Sequence, residues 1–123
     1  MLNKTQLIGR LGNDPDYRCT ASGTPMATFS LATSERFKGK DGETQEFTEW
    51  HTIVAWRNLA DTCRKYLAKG SLVYVEGKIR KRKYQDKDGK DRSITEIMAD
   101  QVKFLDRAEN GSNDRPRTEE EPF

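Results

Sequence analysis

The sequence predicts an all-β fold: a small five-stranded barrel with one short helix between the third and fourth strands, followed by a disordered acidic tail. Three observations carry this expectation. Alternating or β-branched segments flank a single segment of helical period. Turn-forming Gly, Asp, Asn and Pro residues separate the segments at short intervals. The periodicity then stops at Leu105.

Each element has its own justification. Leu2–Leu11 mixes Leu7, Ile8 and Leu11 with polar residues and ends at Gly12-Asn13-Asp14-Pro15, a dense turn signal. Met26–Thr33 sets Ala27, Phe29 and Leu31 on one face and Thr28 and Ser30 on the other, the pattern of a half-buried strand. Phe47–Trp56 is aromatic and β-branched, which favours a strand. In Asn58–Lys69 the period changes: Leu59, Cys63, Tyr66 and Leu67 recur at helical spacing, Asn58 is a candidate N-cap, Asp61 sits in the expected first turn and Gly70 marks the stop. Ser71–Tyr84 and Arg92–Leu105 return to strand across Asp86-Lys87-Asp88-Gly89, a hairpin turn. Three strands, a helix and two strands is the element order of the OB-fold, a small Greek-key barrel. The alternative, a five-stranded SH3-like barrel, normally lacks that helix.

Composition narrows the function classes. Of 123 residues, 33% are hydrophobic and 34% charged, so the core is small and two independent domains are excluded. The longest apolar run is a few residues, far short of the roughly 20 that span a bilayer. Residues 1–6 hold no apolar signal region, and the expected location is cytoplasmic, with no membrane partner. Cys19 and Cys63 form neither a disulfide framework nor a thiol-rich metal site.

The net charge of +2 averages two unlike parts. Residues 106–123 carry 3 basic and 6 acidic side chains, which leaves 19 basic against 14 acidic in residues 1–105. Within the body, Lys78–Arg92 holds 8 basic residues against Asp86, Asp88 and Asp91, and so supplies the whole surplus. A concentrated basic stripe is the footprint expected of a polyanion partner, set against the plainer reading of a solvated strand face.

Aromatic residues sharpen this. Trp50 and Trp56 are six apart in one strand and so share a face. Phe37 and Tyr84 each stand five residues before the glycine of a lysine-bearing turn, Gly42 and Gly89, where there is little core to enter. Arg80, Arg82 and Tyr84 share one parity. Rings interleaved with Arg and Lys suit single-stranded nucleic acid, in which bases stack and cations track phosphates. Duplex binding fits less well, since no helix carries the basic residues into a groove.

Several motifs now add up. Gly9-Arg10-Leu11-Gly12-x-Asp14-Pro15, Leu31-Ala32-Thr33-Ser34-Glu35, Thr48-Glu49-Trp50-His51 and Tyr66-Leu67-x-Lys69-Gly70-Ser71-x-Val73-Tyr74-Val75-Glu76-Gly77 closely resemble the bacterial-type single-stranded DNA-binding proteins, from about Asn3 to Leu105. The resemblance implies an OB-fold that coats single-stranded DNA in replication, recombination and repair, with no cofactor, no metal and no catalysis. It places the base-stacking rings on Phe37, Trp50, Trp56 and Tyr84, and phosphate contacts on Arg18, Lys69, Arg82 and Lys83. Charge and parity add Lys4, Arg10, Arg57 and Arg80. It also implies a homotetramer, with His51 at a subunit interface and the first strands, carrying Lys4 and Leu7, paired between copies. The tip Glu119, Glu120, Glu121, Pro122 and Phe123 resembles that family's partner-binding end, although it replaces an aspartate run and an aliphatic residue with Glu-Glu-Glu. The expected organisation is a domain over 1–105, a linker over 106–118 and the tip at 119–123.

Other classes have weaker support. With one histidine, no His-Glu-x-x-His and no Gly-rich loop opening a helix, catalysis reduces to a Cys63–His51 pair, and Cys63 lies on the helix's apolar stripe. Asp86, Asp88 and Asp91 form too short a run for a calcium loop. An adaptor without nucleic acid stays open, because barrels of this kind also host protein contacts. So does RNA as the ligand.

Overall fold

The computed structural model describes residues 1–106; the remainder, including nearly all of the expected linker and the whole tip Glu119–Phe123, lies outside the described residues. The chain runs β1 (Thr5–Leu11), β2 (Asp16–Cys19), β3 (Pro25–Lys38), β4 (Thr44–Trp56), α1 (Arg57–Tyr66), β5 (Leu72–Gln85) and β6 (Asp91–Phe104). β1 pairs with β5, β5 with β6, and β4 with β3, all antiparallel, while β6 meets β4 in parallel. β3 then returns to β1 at Arg10↔Ala32 and Leu11↔Leu31. The five strands β1, β3, β4, β5 and β6 thereby close into a ring, with the helix between the third and fourth of them. This is the expected OB-type barrel.

β2 is not among the strands that the sequence predicts. Its four residues are too few to show a period, and they directly follow the Asp14-Pro15 turn. They form a strand because β3 offers an edge, from Asp16↔Thr28 to Cys19↔Pro25. Tyr17 ties this strand to the helix: its ring packs on the core, its hydroxyl donates to Asp61 at 2.6 Å, and the Arg64 guanidinium lies 4.2 Å from the ring centroid. The Asp61 carboxylate holds the Tyr17 phenol above its ordinary pKa.

The helix begins one residue before the expected Asn58 cap. Trp56 occupies the N-cap position without any side-chain cap, and no acidic residue lies in the first turn. Asn58 sits inside the helix, and Asp61 serves Tyr17 instead. Tertiary packing replaces the missing cap, because Ala60 and Cys63 are fully buried against the barrel. Burial pushes the Cys63 thiol up to about 11.

Alternation fixes which residues form the core. Ala27, Phe29 and Leu31 on β3, Ile53 and Ala55 on β4, and Val73 and Val75 on β5 are all buried in one cluster. Beyond Ser34 and before His51, every residue of the β3–β4 hairpin except Gly39 is exposed. The hairpin therefore projects from the barrel, and its strands exceed the expected Met26–Thr33 and Phe47–Trp56 because backbone pairing continues where the apolar pattern stops. The β5–β6 hairpin projects likewise from Lys78 to Arg92. Both tips close identically: Gly42 and Gly89 adopt φ of 82° and 78°, and their amides donate to Gly39 and Asp86 carbonyls.

Candidate nucleic-acid interface

Register decides which side chains meet. On β4, Trp50, Thr52, Val54 and Trp56 point away from the core, and their partners Ala32, Ser30, Thr28 and Met26 on β3 share that outer face. Val54↔Met98 carries the face onto β6, and Lys78↔Met98 and Arg80↔Glu96 carry it onto β5. Trp50, Trp56, Arg80, Arg82 and Tyr84 therefore lie on one continuous surface that crosses four strands. Trp50 is 57% exposed and Tyr84 44%.

The Trp50 ring extends across β3 to Gly12. A Cβ at Gly12 would collide with ring atom Cζ3, so only glycine leaves room for the ring in this pose. The turn is pinned beneath it: Asn13 Oδ1 accepts from the Ser30 amide at 3.0 Å and from its hydroxyl at 2.6 Å. Trp56 is half-buried. Its indole Nε1 is the one buried side-chain polar atom without a hydrogen-bond partner among the described residues.

The cations differ in how free they are. Arg82 donates from Nε and Nη2 to the two Glu96 oxygens at 3.4 and 3.0 Å, with its guanidinium 5.9 Å from the Tyr84 ring centroid. Arg80 Nη1 reaches Met98 Sδ at 3.4 Å. Lys83 is exposed but takes the opposite parity, away from Trp50. Arg10 donates to the Gly70 carbonyl at 2.9 Å and lies 3.7 Å from Asp106. Arg18 pairs with Asp16 at 3.2 Å. Lys69 stands exposed after the helix, its amide held by Asp14. Arg57, directly after Trp56, has φ of +55°, a left-handed backbone that a non-glycine residue adopts at a cost.

Phe37 does not join the others. It has the parity of Leu31 and His51, which puts it on the opposite face of the hairpin from Trp50. There it lies diagonally across from Phe47, since Phe37 pairs with Gln45 and Phe47 with Glu35; both rings are 50% exposed. Phe47, Gly12 and Glu96 are the residues that sequence reasoning passed over. Phe47 had a signal, its odd spacing from Trp50, but using it requires knowing that the hairpin leaves the barrel.

On the first strand, the partly buried Leu7 side chain packs against the core, while Ile8 and, just before the strand, Lys4 are exposed. Lys4 binds Glu76 at 3.1 Å, Tyr74 donates to Glu76 at 2.6 Å, and Gln6 donates to Tyr74 at 2.9 Å. The Tyr74 hydroxyl, followed by Lys4, holds the Glu76 carboxyl below its ordinary pKa. His51 Nε2 is 2.9 Å from Thr33 Oγ1. Among the described residues no three metal-ligating side chains converge, and no helix is long and apolar enough to cross a membrane.

This geometry has known counterparts. The model of the single-strand binding protein family matches residues 2–105. The single-stranded DNA-binding protein 1 of Chlorobaculum tepidum is 50% identical over 111 residues, covering 89% of this chain and 68% of that protein. The single-stranded DNA-binding protein of Neisseria meningitidis serogroup A is 46% identical over 118 residues, 96% of this chain and 68% of its own length. Among solved structures, a Plasmodium falciparum SSB in complex with ssDNA superposes with a TM-score of 0.78 at 40% identity, covering 86% of this chain and 97% of that one. Proteins of this family bind DNA and are not enzymes. By sequence match over nearly all of the described residues and by the shape of its barrel, the chain belongs to the single-strand binding protein family.

Proposed function

We propose that this protein binds single-stranded DNA without strong sequence preference, coating it during replication, recombination and repair. The observation that carries the reading is the single outer face on which Trp50, Trp56 and Tyr84 stand with Arg80 and Arg82. Rings provide stacking that tolerates any base, and guanidiniums provide phosphate contacts, so affinity needs no readout of base edges. The similar Plasmodium chain was solved with ssDNA, which supports the same ligand here.

In this reading Phe37 and Phe47 receive a strand that passes around the hairpin edge, and Arg10, Arg18, Arg57, Lys69 and Lys83 line its path. Strand β1 pairs with β3 only through Arg10 and Leu11, so Thr5–Gly9 keeps an edge free of strand partners among the described residues. Pairing of that edge with its copy, near His51 and Lys4, builds the homotetramer. The segment Glu119–Phe123 recruits replication, recombination and repair proteins, and the protein works in the cytoplasm without a cofactor.

Titration with poly-dT tests the central claim. Stacking should quench Trp50 and Trp56 fluorescence to a sharp end point, and poly-rU shows whether RNA is accepted. Unchanged fluorescence and no complex at low salt would overturn the reading.

A further inference from the structure

Glu96 stands out on the outer face. It is the one charged residue among the described residues that is buried, at 8% exposure, and it sits amid groups suited to a polyanion. A carboxylate there repels phosphate, and a paired buried ion is weak grounds for stability. What it does is grip Arg82. Its two oxygens accept from Nε and Nη2, a two-point contact that fixes the guanidinium plane. The grip is asymmetric: the Glu96 side chain is 11% exposed and the Arg82 side chain 52%. The anchor is therefore fixed in the wall while the guanidinium faces solvent. Among the described residues Nη1 and the second hydrogen of Nη2 take no other partner, and the Tyr84 ring lies 5.9 Å away on the same face.

We propose that Glu96 is a positioning residue for single-stranded DNA: it holds one edge of Arg82 so that the free edge meets a phosphate while a base stacks on Tyr84. This rests on the function proposed above. Immobilising a long side chain before binding removes an ordering cost that the complex would otherwise bear. The carboxylate stays bound to Arg82 in the complex, and phosphate adds to the guanidinium instead of displacing Glu96.

The sign of one substitution separates this from simple charge. Removing a negative charge from a DNA-binding face should tighten binding if Glu96 acts only through its field. If Glu96 positions Arg82, Glu96→Gln should instead weaken oligo-dT binding roughly fivefold. It should also flatten the dependence of log affinity on log salt by about 0.7, one lost phosphate contact. The effect should vanish in an Arg82→Met background, whereas a merely structural role would persist there. Equal or tighter binding by Glu96→Gln, or an undiminished effect in Arg82→Met, overturns the inference and leaves the function standing. Failure of the unsubstituted protein to bind oligo-dT overturns the function itself. If Glu96→Gln does not fold, the Arg82 Nε–H resonance of the unsubstituted protein decides: a hydrogen-bonded signal retained on adding oligo-dT supports the grip, and its loss shows that phosphate has replaced the carboxylate.

Discussion

Trp50 and Trp56 occupy one face, but their surroundings differ, and substitutions should show it. Trp50 is mostly exposed over Gly12, whereas Trp56 is half-buried at the junction of β4 and α1. Replacing either by alanine should weaken oligo-dT binding by about 1–3 kcal/mol in a titration. Trp56→Ala should also lower the melting temperature, and Trp50→Ala should leave it nearly unchanged. Arg57 makes the opposite case. Its left-handed backbone favours glycine, so Arg57→Gly should raise stability by up to about 1 kcal/mol in urea unfolding. If Arg57 contacts phosphate, the same variant should bind with a shallower salt dependence. The residue types were legible in the sequence, since rings beside turns and cations at one parity require no knowledge of pairing. Phe37 facing away from Trp50, and Glu96 gripping Arg82, were not legible. Both depend on cross-strand register, which sequence spacing within a strand does not contain.

Elements differ in what holds them. The helix lacks a cap and relies on Ala60 and Cys63 packing into the barrel, so thiol chemistry reports its docking. With its pKa raised to about 11, Cys63 should resist a disulfide reagent at pH 8 until the protein unfolds, while exposed Cys19 reacts at once. Acid should act on two other elements. Glu76 on β5 is held low by Tyr74 and then Lys4, and Asp86 at the hairpin tip is held low chiefly by Arg92. A carboxyl lowered in the folded state stabilises it above the unfolded pKa and loses that contribution as pH falls through the folded value. Melting temperature should therefore fall below about pH 4, and Glu76→Gln should lessen the fall. Strands with alternating apolar residues and the helix were readable for the same reason: burial imposes a period. β2 is too short to show a period, with Tyr17 its one contact to the core, and the outer half of the β3–β4 hairpin has no buried face, so neither was readable; the β5–β6 hairpin was, because a Gly-tipped turn joins two long strand segments.

At the scale of the molecule, the open edge of β1 and the proposed tetramer make mass the direct test. Light scattering should give about four times 14.1 kDa, and a monomer at micromolar concentration would refute the assembly. The ring itself is unevenly sewn. β3 and β4 share thirteen pairs, from Met26↔Trp56 to Lys38↔Thr44, but β4 meets β6 at only two, Ile53↔Ile97 and Val54↔Met98, and β1 meets β3 at two more. The barrel is thus two ribbons joined along two thin seams, and the seams join residues far apart in sequence. Seams of that kind close late in folding and open first in native fluctuations. Trp50 and Trp56 stand on one ribbon, and Arg80, Arg82 and Tyr84 on the other. A nucleic acid strand touching both sets laces the two halves together, so the ligand itself becomes part of the fold's fastening. Amide exchange at Ile53, Val54, Ile97 and Met98 should slow on binding far more than exchange deep within either ribbon, and the rate at which DNA is released would then be set partly by how often the barrel opens.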